Sequence, residues 1–440
     1  MSGAAARRAT ARRSFVSDVL AALDGAGIPH AIVGRPAATD VDVVVSRALV
    51  RERVVDALAQ TGTVVQAVEH DSACCFVVTR RATGGAREFV RLDVWTDPDV
   101  DGLRFYPGDA LLPRPTTDVA FGCALSRRIA KGDLEAGDCD VLATLYARDP
   151  GGCEREVERL WPRAPADALV RAIRAGRWKA VRRRVPALRA ALRRRAVRRA
   201  PLATARRIVA RQVARARHVL RPAHGLHVVL LGPDGVGKST VVDAVREELA
   251  TAFAGVAVRA VAPALSQLRD GSYRTRATHH EHERAANPHG LRPHGLATSI
   301  VKAAYWLVYY GLGHLLSVRP LLARGHLVLG HRHLVDALVD TRRYRYSGPA
   351  WLVRTLWRVV PKPDLVILLD APAETVHERK AELTVEEIAR QRRAYRVLVN
   401  GLSGIGRIVD ATGARDETAA RAVDLIVDWL AERVARRGTR

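Results

Sequence analysis

Gly232, Gly237, Lys238 and Ser239 stand in the spacing Gly-x-x-x-x-Gly-Lys-Ser, with Gly235 inside the run and Thr240 behind it. An apolar run over 226–231 leads in, and a helix-compatible run over 240–249 leads out. Glycines so placed let successive backbone N–H groups turn inward as a nest for phosphate oxygens. The helix that follows adds its positive N-terminal end. From 238, an ammonium reaches the β- and γ-phosphates of a nucleoside triphosphate, and the Ser239 hydroxyl can sit on Mg²⁺. A bare turn between strand and helix would give the Lys-Ser pair no packing role. The expectation is a site for ATP and Mg²⁺ built from Gly232, Gly235, Gly237, Lys238, Ser239 and Thr240.

Phosphoryl transfer also needs cations around the developing charge on the γ-oxygens. Candidates follow the strand-like runs, because ligands of open parallel sheets bind at the carboxyl ends of the strands. Arg332 follows the run 327–330 and could hold an acceptor phosphate with two prongs. Residues 377–396 carry Arg379, Lys380, Arg390, Arg392, Arg393 and Arg396 on helical stretches. A closing loop with several guanidiniums suits this chemistry; a solvated basic helix face is the plainer reading of each arginine. His331 and His333 flank Arg332, and seven more histidines and glutamates crowd 279–294, a polar cluster read as solvated and not as a metal site.

Near the N-terminus, Asp40 and Asp42 alternate along an apolar run over 41–45, which puts both carboxylates on one strand face. Asp93 sits mid-run in 90–95. Two carboxylates at i and i+2 with a third from a neighbouring strand can hold two metal ions for a nucleotidyl transfer. Ordinary acids at strand ends are the alternative.

These residues need elements to hold them. The pattern predicts a helix over 15–23, strands over 30–33 and 41–45, a helix over 49–60, strands over 75–79 and 89–95, and helices from 140 onward. Farther on, strands over 226–231, 327–329, 365–369 and 408–409 alternate with helical segments, as in a parallel sheet covered on both faces. The expected organisation is a flexible basic tail (1–13), an α+β domain (14–170), an Arg-rich helical linker (171–224) and an α/β domain with a P-loop (225–440). A chain of 440 residues with 48% hydrophobic and 27% charged residues has room for such domains.

The net charge of +25 is uneven. Residues 171–221 hold 18 Arg and 1 Lys with no acid, which leaves +6 for everything else. Apolar residues recur there at helical spacing, and Pro186 and Pro201 divide the stretch into two or three short helices. Such a segment suits an anionic membrane surface, nucleic acid, an acidic partner or a helical linker. The five cysteines form no C-x-x-C pair, which suggests buried thiols in a reducing cytosol and neither a zinc site nor a disulfide framework. The longest apolar stretch, 303–313, is too short to span a bilayer. A cytoplasmic chain, peripheral to a membrane at most, is expected.

The run Gly232-Pro-Asp-Gly-Val-Gly-Lys-Ser-Thr240 resembles the phosphate loop of thymidylate kinases, which carry an acid at the position of Asp234. The runs 366–372, 390–395 and 409–411 are similar to the same family, and 340–349 is similar to a bacterial branch of thymidylate-kinase-like proteins. The resemblance covers roughly 225–415. It implies a five-stranded parallel core, ATP with Mg²⁺, and transfer of the γ-phosphoryl to a nucleotide monophosphate or similar acceptor. It further implies that Asp234 faces the acceptor and that Arg379, with neighbours such as Arg393, forms a lid. The family's Asp-Arg after the third strand is His331-Arg332 here, so the Arg is kept and the carboxylate is lost. The N-terminal pattern resembles the nucleotidyltransferase superfamily, with Arg35 where that pattern has Ser.

The resulting expectation is an ATP-dependent phosphotransferase fused through a basic segment to a nucleotidyltransferase-like domain. Two alternatives stay open: a nucleotidyltransferase whose P-loop domain senses nucleotide, and a non-catalytic ATP-binding scaffold at a membrane. Partners are ATP, a small phosphorylated acceptor, the anionic surface or nucleic acid met by 171–221, and a second copy in a homodimer.

Overall fold

A computed structural model of the chain describes residues 3–32, 40–45, 51–70, 73–81, 87–95, 99–100, 103–104, 116–132, 134–220, 225–259, 295–330 and 333–438. It divides into two compact units, residues 1–217 with 430–440, and residues 218–429. Both combine strands and helices.

The first unit holds a mixed sheet of β1 (His30–Ile32), β2 (Asp40–Val45), β3 (Thr63–His70), β4 (Ala73–Arg81) and β5 (Arg87–Trp95), in the order β1-β2-β5-β4-β3. β2 and β5 run parallel, and the other neighbours run antiparallel. Helices Gly3–Gly25 and Arg51–Ala59 contribute Phe15, Val19, Leu23, Val54 and Leu58 to a core completed by Val41, Val43, Phe76, Leu92 and Val94 from the strands. The short strands β6 (Asp99–Val100) and β7 (Leu103–Arg104) pair antiparallel.

A helical bundle follows: Thr117–Lys131, Ala136–Arg148, Pro150–Leu160, Arg163–Arg174, Trp178–Arg183 and Val185–Arg199. Local chemistry fixes its corners. Asp149 accepts from the Gly152 N–H at 2.9 Å and Pro150 starts the next helix, where a missing N–H costs nothing. Trp161 is fully buried and donates its indole N–H to the Leu188 carbonyl at 3.1 Å. The Arg-rich stretch up to Leu192 is thus part of this core: Val181, Val185, Leu188 and Leu192 face inward while most of their arginine neighbours face out. Its prolines fall where new helices begin, Pro186 in the first turn of Val185–Arg199 and Pro201 at the start of Pro201–Leu220. None of the five cysteines forms a disulfide. Burial pushes Cys123 and Cys153 up to about 12, which keeps them protonated and unreactive.

The second unit is an all-parallel sheet of β8 (Leu226–Leu231), β9 (Gly255–Arg259), β10 (His326–Gly330), β11 (Leu365–Asp370) and β12 (Gly406–Asp410), ordered β12-β11-β8-β10-β9. Every residue of β8 is buried, as the central strand of a covered parallel sheet requires. The chain leaves β8 for one side of the sheet (β9, β10) and then crosses to the other (β11, β12). The order therefore switches at β8, and its carboxyl end is where the topology opens a crevice.

Candidate functional site

The switch point carries the glycine loop. Gly232 has φ of 142°, and a Cβ there would lie 2.9 Å from the Leu369 carbonyl oxygen. Only glycine lets the chain turn off β8 this close to the end of β11. Gly235, with φ of 92°, would bring a Cβ to 2.9 Å from the Cβ of Lys380. The helix Lys238–Glu248 begins directly after Gly237.

Lys238 is only 9% exposed. Its ammonium donates to the Gly232 and Pro233 carbonyls at 2.7 and 2.8 Å and to Asp234 Oδ1 at 3.3 Å. The positive group therefore sits across the mouth of the loop, bounded by main-chain dipoles and one carboxylate. Ser239 is exposed beside it and Thr240 half-buried. A lysine ammonium, inward-turned glycines, a helix N-terminus and an exposed hydroxyl form a donor set that fits a nucleoside triphosphate with its Mg²⁺.

Sequence reasoning missed one participant. Arg343 donates to Asp234 Oδ2, so the loop acid is shared between Lys238 and a guanidinium 109 residues away. The turn that delivers it is held by Asp340, whose carboxylate accepts from the Arg343 N–H at 3.1 Å, and by Arg345 in the left-handed region at φ 45°. A buried brace lies behind that turn. Asp336 accepts from the His333 N–H at 2.7 Å and from the Tyr395 hydroxyl at 2.8 Å, and Arg390 donates to the Val339 carbonyl at 3.0 Å. The clustered 342–345 arginines and tyrosines were the one available signal.

The remaining candidates are dispersed. Arg379 donates to the Ala411, Thr412 and Gly413 carbonyls at 2.9, 3.2 and 3.0 Å, so it fastens the turn after β12. Arg392 holds Asp370 with two prongs at 2.6 and 3.1 Å, and Arg396 adds a contact at 3.3 Å. Arg393 is exposed on the helix Val385–Asn400. His331, Arg332, Arg35 and the histidines of 279–294 lie outside the described residues.

In the first unit Asp42 and Asp93 are direct partners across parallel strands, and so share a sheet face. Asp40 is paired with Arg91 by backbone register, and its side chain lies outside the description. Asp42 is already engaged. Arg127 grips both its oxygens, and Trp95 Nε1 donates to Oδ1 at 3.0 Å. Arg91 stands 3.4 Å from Asp93. Among the described residues no group of three His, Cys, Asp or Glu is placed to hold a metal ion. With Arg127 12% and Asp42 14% exposed, Arg127→Ala leaves a nearly buried carboxylate without its counter-charge. The expected loss of unit stability is about 3 kcal/mol, read as an earlier urea midpoint at unchanged slope. An unshifted midpoint would mean that the pair is not structural.

No family model matches the chain, and no curated protein matches it. Among solved structures, a thymidylate kinase from Ehrlichia chaffeensis is similar at 14% identity, with 46% of this chain and 98% of that chain covered and a TM-score of 0.34.

Proposed function

We propose that the second unit is an ATP-dependent phosphotransferase that moves the γ-phosphoryl of Mg-ATP to a nucleoside monophosphate or a related small phosphorylated acceptor. The observation that carries this reading is the Lys238–Asp234–Arg343 chain at the carboxyl end of β8. It couples a triphosphate-type loop to a second cation suited to a second phosphate.

Lys238 would exchange the Gly232 and Pro233 carbonyls for β- and γ-phosphate oxygens, which are better partners for an ammonium. Ser239 would hold the metal, whose chemistry is to neutralise charge on the transferring phosphoryl. Arg343 would take the acceptor phosphate with its fork. Asp234 would aim that guanidinium and fix its distance from Lys238. Little covalent work is asked of the protein, since phosphoryl transfer is driven by positioning and by charge stabilisation. Arg393, exposed on its helix, is free to serve as a lid cation on closure. Arg379 would act at one remove, by fastening the turn after β12.

The test is ADP formation by the full chain with Mg-ATP and a panel of nucleoside monophosphates and sugar phosphates. An acceptor-dependent rate is expected. Arg343→Ala should raise the acceptor KM about tenfold or more, the cost of one charge-assisted contact, with the ATP KM nearly unchanged. ADP formation indifferent to every acceptor, or an Arg343→Ala effect confined to ATP, would overturn the reading.

A further inference from the structure

The helix Leu296–Gly313 is apolar on both sides. One side is core: Ser299, Ala303, Trp306 and Tyr310 are buried against Leu334, Tyr346, Val353 and Leu356. The other faces out. At 100° per residue the outward half presents Ile300, Val301, Ala304, Tyr305, Val308 and Leu312, with Val301 and Val308 69% and 62% exposed. Leu315 and Leu316 in the π-helix His314–Val318 continue the strip. Apart from the Tyr305 hydroxyl, Thr298 is the only polar side chain among the exposed residues from Leu296 to Leu316. An all-round apolar helix belongs in a core or in lipid, and half of this one is in neither.

The surroundings indicate which occupant fits. From 295 to 363 the sequence holds ten Lys and Arg and only two acids, Asp336 and Asp340. Both acids are buried, so the described surface of this stretch carries no anion. The neighbouring helix Ala350–Val359 exposes Trp351 at 63% beside Arg354 and Arg358, with Lys362 just beyond. Exposed Trp and Tyr next to Lys and Arg, around an apolar strip, is the composition of an element lying in a lipid headgroup region. Self-association through the strip would set this cationic rim against its own copy with no acid to pair. No helix among the described residues is long and apolar enough to cross a membrane, and the buried half of this one is already engaged.

We propose that the exposed strip Leu296–Leu316, flanked by Trp351 and its basic neighbours, docks the second unit flat on an anionic bilayer surface. Apolar side chains enter the headgroup boundary, and the cations meet lipid phosphates and carboxylates. This surface is distinct from the Arg-rich helices of the first unit, and the inference is independent of the phosphotransferase reading.

The experiment is co-sedimentation of the full chain with phosphatidylcholine vesicles containing 30% or no phosphatidylserine, at 0.1 and 0.5 M salt. Binding that needs the anionic lipid, and that persists in part at 0.5 M salt where bare charge attraction is screened, is expected. Val301→Ser combined with Val308→Ser and Leu316→Ser should weaken binding at least tenfold. Val308→Lys separates the two forces and suits an exposed helix position should the triple variant fail to fold. It adds a cation and removes an apolar side chain that would enter the bilayer, so docking by insertion predicts weaker binding, whereas adsorption by charge predicts tighter binding. Tighter or equal binding of Val308→Lys overturns the proposal. So does loss of binding only on Leu202→Ser with Val209→Ser in the first unit's helix Pro201–Leu220. So does a parent that ignores vesicles and forms a dimer which the triple variant makes monomeric.

Discussion

On the proposed phosphotransferase reading, replacing Lys238 with alanine is expected to lower phosphoryl transfer by roughly 10²- to 10³-fold and to weaken Mg-ATP binding about tenfold or more. The two effects have separate origins. In the ground state the ammonium would supply one charge-assisted contact to the β/γ-phosphates, of the order of 2 kcal/mol. In the transition state the γ-oxygens gain charge, and a cation buried to 9% exposure is poorly screened by water. The rate should therefore fall further than the affinity. Lys238→Arg provides the control. It keeps the charge but brings a wider planar group into a loop whose Gly232 already passes 2.9 Å, measured from a virtual Cβ, from the Leu369 carbonyl. It should recover affinity in part and rate hardly at all. Calorimetry showing Lys238→Ala with parental affinity for Mg-ATP would remove the phosphate-loop reading altogether.

How far the site was legible in the sequence follows from how its contacts are spaced. The glycine loop is contiguous, and its strand and helix neighbours are set by local pattern, so Gly232 to Thr240 could be read directly. The five parallel strands of the second unit follow the same logic in part. Three are apolar runs, whereas β9 and β12 are short edge strands, and of these only the Ile408–Val409 pair stood out. β3 was hidden for another reason. A bulge between Val64 and Gln66 breaks the alternation, so Val64, Val65, Ala67 and Val68 are all buried and no period of two survives.

Side-chain partners were least legible, because nothing local encodes them. The alternation placing Asp42 on one strand face could be read, but the Arg127 that grips it lies 85 residues on. Arg343 reaches Asp234 only because Asp340 and a left-handed Arg345 shape the turn between. Arg379 and Arg393 looked equivalent on a basic helical stretch; carbonyl oxygens of the Ala411–Gly413 turn distinguish them. The Arg-rich stretch was unmistakable as charge, while its inward row, from Val181 to Leu192, becomes core only when the preceding bundle supplies Trp161 and Leu169.

Three histidines of the second unit make a steep acid limit on its stability, and this is the other large effect expected. His227 on β8 lies 6.1 Å from His314, ring centre to ring centre, and His333 stands 5.3 Å from Tyr310 and 5.1 Å from Trp357. The Nδ1 atoms of His227 and His333 are buried with no hydrogen-bond partner among the described residues. Burial, with mutual repulsion second, pulls His227 and His333 down to about 3; burial and then Arg319 pull His314 down to about 4. In the unfolded chain each takes a proton near the ordinary 6.5. Between these limits the unfolded state binds more protons than the native state, so stability is fully present above pH 6.5 and is lost as pH falls towards 3. Each such group contributes a slope of about 1.4 kcal/mol per pH unit, and three together approach about 4 kcal/mol per unit. Against a stability of roughly 5 kcal/mol, little more than one pH unit below 6.5 suffices to open the unit, and roughly 10 kcal/mol needs about two and a half units. Peptide-level hydrogen exchange over β8 and β10 should show protection falling from about pH 6 downward, beginning before the ordinary carboxylate range is reached. His333→Gln, which cannot titrate, should cut the slope by about a third whatever it does to the plateau at pH 7.5. Protection in β8 that is level from pH 7 to 5, or a slope untouched by His333→Gln, would mean that these rings take up protons in place.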